Sequence, residues 1–240
     1  MGVKAIVFDL DDTLYAERDY VASGMAAVDR FIRARYGTAG FREEATVLFE
    51  SGVRDFIFNR TLEKLGIGHD AALIGELVDC YRSHRPAIRL LPDAVWALDR
   101  LADWARLGII TDGYVAAQRQ KLFALGLTAR CDAIVLTDTL GPGNWKPSPV
   151  PYETMAERLG LPHRECAYIG DNARKDFVTA RRLGWTTVHI VRPGAVHGDT
   201  EVEPCCQADY RIGDLRELAA IGELGHLFQE EAELLHEQSS

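Results

Sequence analysis

The chain lacks the marks of a secreted, zinc-binding or membrane-spanning protein. Its five cysteines, Cys80, Cys131, Cys166, Cys205 and Cys206, are odd in number and contain no Cys-x-x-Cys pair, so neither a disulfide framework nor a zinc site is indicated. The adjacent Cys205 and Cys206 read as two thiols in a loop ahead of a strand rather than as a redox couple. No segment reaches the roughly 18 consecutive apolar residues of a membrane span. The apolar stretch Val3–Phe8 is too short for a secretory leader and runs into acids. Internal repeats are absent. Positive charge is in deficit: 27 Lys and Arg against 36 Asp and Glu leave a net charge of −9. Such a surface is a poor general binder of nucleic acid or anionic membrane, although local charge still decides what a pocket accepts. The expectation is a cytoplasmic protein, monomer or homodimer, with no nucleic-acid or membrane partner.

What is present is an ordinary globular composition, 47% apolar and 26% charged over 240 residues, a length that fits a core domain carrying a smaller insertion. Strand-like runs occur at Lys4–Phe8, Ala105–Thr111, Ala133–Thr137, Glu165–Ile169, Thr186–Val191 and Ala208–Ile212. Several are apolar without alternation, as in strands covered on both faces. Helical patterns at Asp93–Trp104, Val115–Leu125, Pro149–Leu159, Arg174–Leu183 and Leu215–Ile221 separate them, and Gly126, Gly160 and Gly184 close three of these. Strand–helix alternation predicts right-handed crossovers and a parallel sheet. Between the first and second strands the chain shows no strand. Tyr20–Tyr36, Arg42–Leu65 and Ala71–His84 read as amphipathic helices. The expected organisation is an α/β core over residues 1–15 and 90–222, an all-helical insertion over 16–89, and a C-terminal helix and tail over 223–240.

Four short stretches fall at strand ends, where open α/β sheets place their sites. The first, Asp9-Leu10-Asp11-Asp12-Thr13, crowds three carboxylates into four positions, an arrangement that raises their pKa values unless a cation is present. The second is Thr111-Asp112-Gly113, the third Lys146-Pro147, and the fourth Gly170-Asp171 with Asp176. Their chemistry is mutually compatible. An aspartate can be a phosphorylated nucleophile, a second a general acid and base. Hard oxygen ligands such as Asp9 and Asp171 suit Mg2+. A hydroxyl, loop amides and an ammonium can surround a phosphoryl group whose charge is spread over three oxygens.

This ordered set resembles the haloacid dehalogenase-like superfamily, in its branch of aspartate-nucleophile phosphohydrolases, and the resemblance covers nearly the whole chain. It implies a Rossmann-like parallel sheet with helices on both faces and an all-helical cap that helps to choose the substrate. By the same resemblance Asp9 attacks phosphorus and Asp11 protonates the leaving oxygen, then activates water. Thr111 and Lys146 hold the phosphoryl group. Asp9, the Asp11 carbonyl and Asp171 bind Mg2+, and Asp176 acts behind them through a water or Lys146. The substrate implied is a small phosphorylated metabolite of the sugar phosphate or nucleotide class. Asp11 departs from the pattern of haloalkanoate dehalogenases, which favours phosphoryl transfer. A phosphomutase and a non-catalytic regulatory domain are the alternatives.

Other residues carry plainer readings. Asp12 supports the turn. Asp112 and Gly113 offer loop amides for substrate binding. Arg174 and Lys175 read as solvated cations. Trp96, Leu98, Leu101 and Trp104 recur at helical spacing as core, and Trp145 divides evenly between a core reading and one in which it faces the site or the cap. Within the insertion, Arg18 and Arg54 are the first candidates to grip an anionic leaving group, against the reading of a solvated helix face.

Overall fold

The computed structural model describes residues 2–196 and 201–228. The chain begins with β1 (Ala5–Phe8), then α1 (Glu17–Tyr36), α2 (Phe41–Glu50), α3 (Ile57–Lys64) and α4 (Ala71–Ser83). It continues through α5 (Pro92–Leu101), β2 (Arg106–Thr111), α6 (Val115–Ala124), β3 (Ala133–Leu136) and α7 (Val150–Leu159). The last regular elements are β4 (Cys166–Gly170), α8 (Phe177–Arg182), β5 (Thr186–Ile190) and β6 (Tyr210–Ile212). Two compact units result: Met1–Ala16 with Leu90–Gly113 and Gly126–Ser240, and Glu17–Arg89 with Tyr114–Leu125.

The first unit is built on one parallel six-stranded sheet in the order β3-β2-β1-β4-β5-β6. Every residue of β1 is buried, as its all-apolar sequence requires of a central strand. Ala5 and Val7 enter a cluster with Ile110, Val135, Tyr152, Met155, Tyr168, Phe177 and Trp185. The alternating Ile6 and Phe8 turn to the other face, where they are equally buried. Phe8 pairs with Ile109 of β2 and Ile169 of β4. The C-terminal ends of β1, β2 and β4 therefore lie side by side, and the loops opening at Asp9, Asp112 and Asp171 leave the same edge. The strand order reverses at β1, the place where such sheets open a crevice for ligands.

The second unit is all helical: α1 packs on α2 and α4, α2 on α3, and α4 on α6. Its interior holds Tyr20, Val28, Ile32, Phe41, Leu62, Leu73 and Leu77. Tyr20 meets Tyr81 edge-on at 5.4 Å between centroids, and a Cβ on Gly24 would stand 2.3 Å from a Tyr81 ring carbon.

The elements differ from expectation at particular points. The stretch Arg42–Leu65 is two helices, broken where Gly52 and Phe56 take positive φ of 89° and 56°. Helix α6, read as core, groups with the helical unit. The helix expected from Arg174 starts only at Phe177, because residues 171–176 form the turns that carry the fourth motif. Leu215–Ala220 is a 3-10 helix, started by a capping box from Asp214 and Glu217. Helix α5 stops at Leu101, so Trp104 falls outside it and is exposed, whereas Leu98 and Leu101 are buried. Trp96 is half-buried and stacks on Phe228 at 5.5 Å. Cys205 and Cys206 form a short 3-10 turn ahead of β6, as free thiols. Most of the helix expected over 223–240 lies outside the described residues. No helix among the described residues is long and apolar enough to cross a membrane.

Candidate active site

The first motif leaves β1 as a tight loop. The Asp9 amide donates to the Ile169 carbonyl (2.8 Å), which continues the sheet ladder for one residue. Asp12 then takes a left-handed conformation, φ 50°, tolerated by aspartate better than by most residues. Its Oδ2 accepts from the Val196 amide at 2.6 Å, consistent with a turn-supporting role. The Thr13 carbonyl takes two donors from Arg192, at 2.7 and 3.1 Å, and Arg192 also pairs with buried Asp93 at 2.9 Å. Asp11 stays partly accessible, and the buried Tyr15 hydroxyl donates to its Oδ1.

Lys146 reaches into this loop from the third motif. Its side chain is wholly buried, and its ammonium stands 2.5 Å from Asp9 Oδ1 and 2.8 Å from Asp176 Oδ1. It also donates to the Tyr168 hydroxyl at 2.8 Å, and Tyr168 in turn donates to the Ile110 carbonyl at 3.3 Å. Asp176 uses its other oxygen to accept from the Asn172 amide at 3.0 Å. One of its carboxylate oxygens is thus ion-paired with Lys146 and the other accepts from a backbone amide, in keeping with the expected place behind the metal ligands. The closeness of Gly170 makes room for this arrangement, because a Cβ there would sit 2.5 Å from Asp176 Oδ2.

Thr111 ends β2 in a buried position, beside Leu136 of β3. Asp112 follows it with a buried carboxylate, and Gly113 turns the chain with φ 131°. Asp112 Oδ1 accepts from the Lys146 amide (3.1 Å) and the Thr137 hydroxyl (2.9 Å), while Oδ2 pairs with Lys175 Nζ at 2.9 Å. Lys175 is therefore no solvated cation, contrary to its sequence reading.

Electrostatics set these carboxylates apart. Burial pushes the Asp9 carboxyl up to about 6, even against the pull of Lys146, with Asp176 adding to the rise. Asp171 goes up to about 9, first from burial and then from the charges of Asp9, Asp176 and Asp12. Burial would also raise Asp112, but Lys146 and Lys175 outweigh it and hold it below the usual carboxylate range. Burial alone would lower Lys146, but Asp176 and Asp9, with Tyr168 and Asp112 behind them, outweigh it and keep the ammonium firmly protonated.

This donor set fits a divalent cation. The Asp9–Asp171 neighbourhood holds more buried negative charge than Lys146 and Lys175 offset, and its donors are hard oxygens. No group of three or more His, Cys, Asp or Glu side chains forms a ready metal cage among the described residues. Magnesium does not need one, since it keeps several waters and is commonly held by one or two carboxylates. Asp9, the Asp11 carbonyl and Asp171 would hold it here. The His189 ring sits 2.9 Å from the Asp171 carbonyl and steadies that loop.

The residues named from the sequence thus fall into two groups. Asp9, Lys146, Asp176 and Asp112 are linked by direct contacts, with Asp11, Thr111, Gly113 and Asp171 on the same loops. Arg18 and Arg54 belong to the helical unit, where both guanidinium groups lie over the Phe49 ring, at 5.8 and 4.3 Å. Arg54 also donates to the Phe49 and Val53 carbonyls. Sequence reading missed Tyr168, Thr137, Lys175, His189 and Arg192. Tyr168 carried a signal, a hydroxyl inside an otherwise apolar strand, which must find a partner when buried. For Thr137 and Arg192, far from any motif, there was none.

Residues 3–184 match the family model of haloacid dehalogenase-like hydrolases. The chain is 32% identical over 228 residues to a glyceraldehyde 3-phosphate phosphatase of Methanocaldococcus jannaschii, covering 91% of this chain and 96% of that protein. It is 31% identical over 186 residues to a phosphoserine phosphatase of Thermus thermophilus, covering 77% of this chain and 70% of the relative. Among solved structures, a HAD phosphatase from Thermococcus onnurineus superposes with a TM-score of 0.61 at 28% identity, over 91% of this chain and 97% of the other. With its parallel sheet, its four motifs at adjoining strand ends and these relatives, the chain belongs to the haloacid dehalogenase-like hydrolase family, as an enzyme of its phosphatase branch.

Proposed function

We propose that the protein is a magnesium-dependent phosphatase of a small phosphorylated metabolite, of the sugar phosphate or nucleotide class, working through a phosphoaspartate on Asp9. The observation that carries this reading is the Asp9 carboxylate, buried at the end of β1 with one oxygen 2.5 Å from the Lys146 ammonium. That contact fixes the carboxylate and leaves its second oxygen for attack. The relatives named as phosphatases of glyceraldehyde 3-phosphate and phosphoserine support a small phosphoester as substrate.

The steps follow from the side chains. Asp9 Oδ2 forms a bond to phosphorus as the bond from phosphorus to the leaving oxygen breaks, and Asp11 gives that oxygen its proton. The Tyr15 hydroxyl donating to Asp11 Oδ1 orients this acid. Asp11, now a carboxylate, takes a proton from water as the water oxygen attacks phosphorus, which frees phosphate and restores Asp9. Thr111, the amides of Asp112 and Gly113, and Lys146 offset the charge on the transferring group. Asp9, the Asp11 carbonyl and Asp171 would hold magnesium, which would offset negative charge on the transferring group.

The test is phosphate release from a panel of sugar phosphates, nucleotides and amino-acid phosphates, with magnesium and with EDTA. The expected result is magnesium-dependent release from one or a few compounds, absent in Asp9→Asn. A folded wild-type protein that releases phosphate from none of them, or equally well in EDTA, overturns the proposal.

A further inference from the structure

The contacts around Asp112 give a role to Lys175, which stands in the turn of the fourth motif and whose sequence reading was a solvated cation. We infer that Lys175 is a positioning residue for the phosphoryl-binding loop, acting through Asp112 to lock Thr111-Asp112-Gly113 onto the backbone of Lys146. The inference rests on the functional reading of those two segments.

One carboxylate joins four pieces of chain. Asp112 stands on the loop after β2. Its Oδ1 binds the Lys146 amide at 3.1 Å and the Thr137 hydroxyl at 2.9 Å. Its Oδ2 meets Lys175 Nζ at 2.9 Å, on the loop between β4 and α8. The Asp112 side chain is 6% exposed and that of Lys175 29%, so the pair is screened far less than a surface pair. A buried carboxylate needs a partner, and the Lys146 ammonium is already engaged by Asp9 and Asp176. Lys175 contacts Asp112 directly. With the Lys175 charge gone, Asp112 loses the ammonium 2.9 Å from its Oδ2 and keeps the Lys146 amide and Thr137 hydroxyl on Oδ1, so the side of the carboxylate that ties the loop to residue 175 is released. The Thr111 hydroxyl and the Gly113 amide would then drift relative to Asp9, and misplacements of about 1 Å near reacting groups are costly in rate.

A double-mutant cycle tests this, read both as turnover and as thermal unfolding. Lys175→Met keeps the stem and removes the charge. Asp112→Asn removes the carboxylate charge and keeps an acceptor for the Lys146 amide. In the wild-type background Lys175→Met is expected to lower kcat about tenfold, with a smaller change in KM. It is expected to lower Tm by about 3 °C. In the Asp112→Asn background the same substitution should change both little, and Lys175→Arg should recover most of the turnover. Equal losses of kcat in both backgrounds would show that Lys175 acts directly on substrate, and would overturn the inference. Coupling in Tm with unchanged kcat would overturn it too, leaving a purely structural ion pair. If wild-type protein releases no phosphate from the panel, the functional reading fails and the positioning role with it. The unfolding cycle still shows in that case whether the ion pair forms.

Discussion

Lys146 and Asp9, 137 positions apart in sequence, meet at 2.5 Å with their side chains 0% and 6% exposed. Desolvating two charges is costly, and it is offset here by close geometry and by further partners on each side. The ammonium is shared with Asp176, whose second oxygen is tied to the Asn172 amide. The arrangement holds the nucleophile of the proposed reaction in place before substrate arrives, which is where the rate advantage of such sites arises.

Removing the shared cation should therefore be severe. Lys146→Met leaves Asp9 and Asp176 buried without their common partner, a change that typically costs about 3–5 kcal/mol. Thermal unfolding should show a large drop in Tm, and phosphate release should be lost. A variant melting within about 2 °C of wild type would mean that these ion pairs contribute little to the fold.

Asp9→Asn should separate chemistry from stability. Turnover should fall by a factor on the order of 10⁴ or more, as expected when a nucleophile is removed. The neutral amide fills the same space and avoids desolvating a charge whose carboxyl is already pushed up to about 6 by burial, so Tm should stay close to wild type. Near-normal phosphate release in this variant would remove Asp9 from the nucleophile's role.

The pH dependence of magnesium binding follows from the same groups. Asp9 and Asp171 are raised from 3.8 to about 6 and about 9. A carboxyl raised by folding lends its stability below the unfolded value, and that stability is lost as pH rises through the folded value. Metal-free protein should thus become less stable as pH climbs from about 4 toward about 9. Magnesium binds the ionised acids and competes with their protons. The gain in Tm on adding magnesium should be larger at about pH 8 than at about pH 5. Thermal unfolding with and without magnesium at both values checks this, and an equal gain at the two would contradict the assigned ligands.

Gly170→Ala tests the close approach behind Lys146. The added methyl would stand 2.5 Å from Asp176 Oδ2 and 3.2 Å from the Tyr168 ring. Asp176 must move away from the Lys146 ammonium or the strand end must shift. The expected cost is about 1–3 kcal/mol in unfolding free energy, the usual range for overpacking, together with reduced kcat. Urea titration and steady-state assays read the two effects, and an unaltered variant would show that Asp176 has freedom the packing does not suggest.

What could be read from the sequence was local. Strand-like runs named all six strands, and three of them were apolar without alternation, as strands covered on both faces must be. The motifs at their ends named Asp9, Asp112, Lys146 and Asp171. Short-range chemistry also failed locally. The break between α2 and α3 depends on Gly52 and Phe56 in left-handed conformations, and no apolar period signals that for a phenylalanine. The delayed start of α8 follows from Asp176, whose carboxylate is drawn to Lys146 and the Asn172 amide instead of capping a helix.

The sequence by itself determined the parallel α/β core and the helical character of the stretch after its first strand, and it offered the candidate residues for the proposed chemistry, since periodicity and strand-end motifs are properties of neighbouring residues. The tertiary structure alone decided which charges meet. It set Tyr168 under Lys146, turned Lys175 from solvent to Asp112, and brought Arg192 to the Thr13 carbonyl across 179 positions. The reason is physical: a buried charge must find its partner wherever the sheet order places one, and the order β3-β2-β1-β4-β5-β6 is not written in any single stretch of chain.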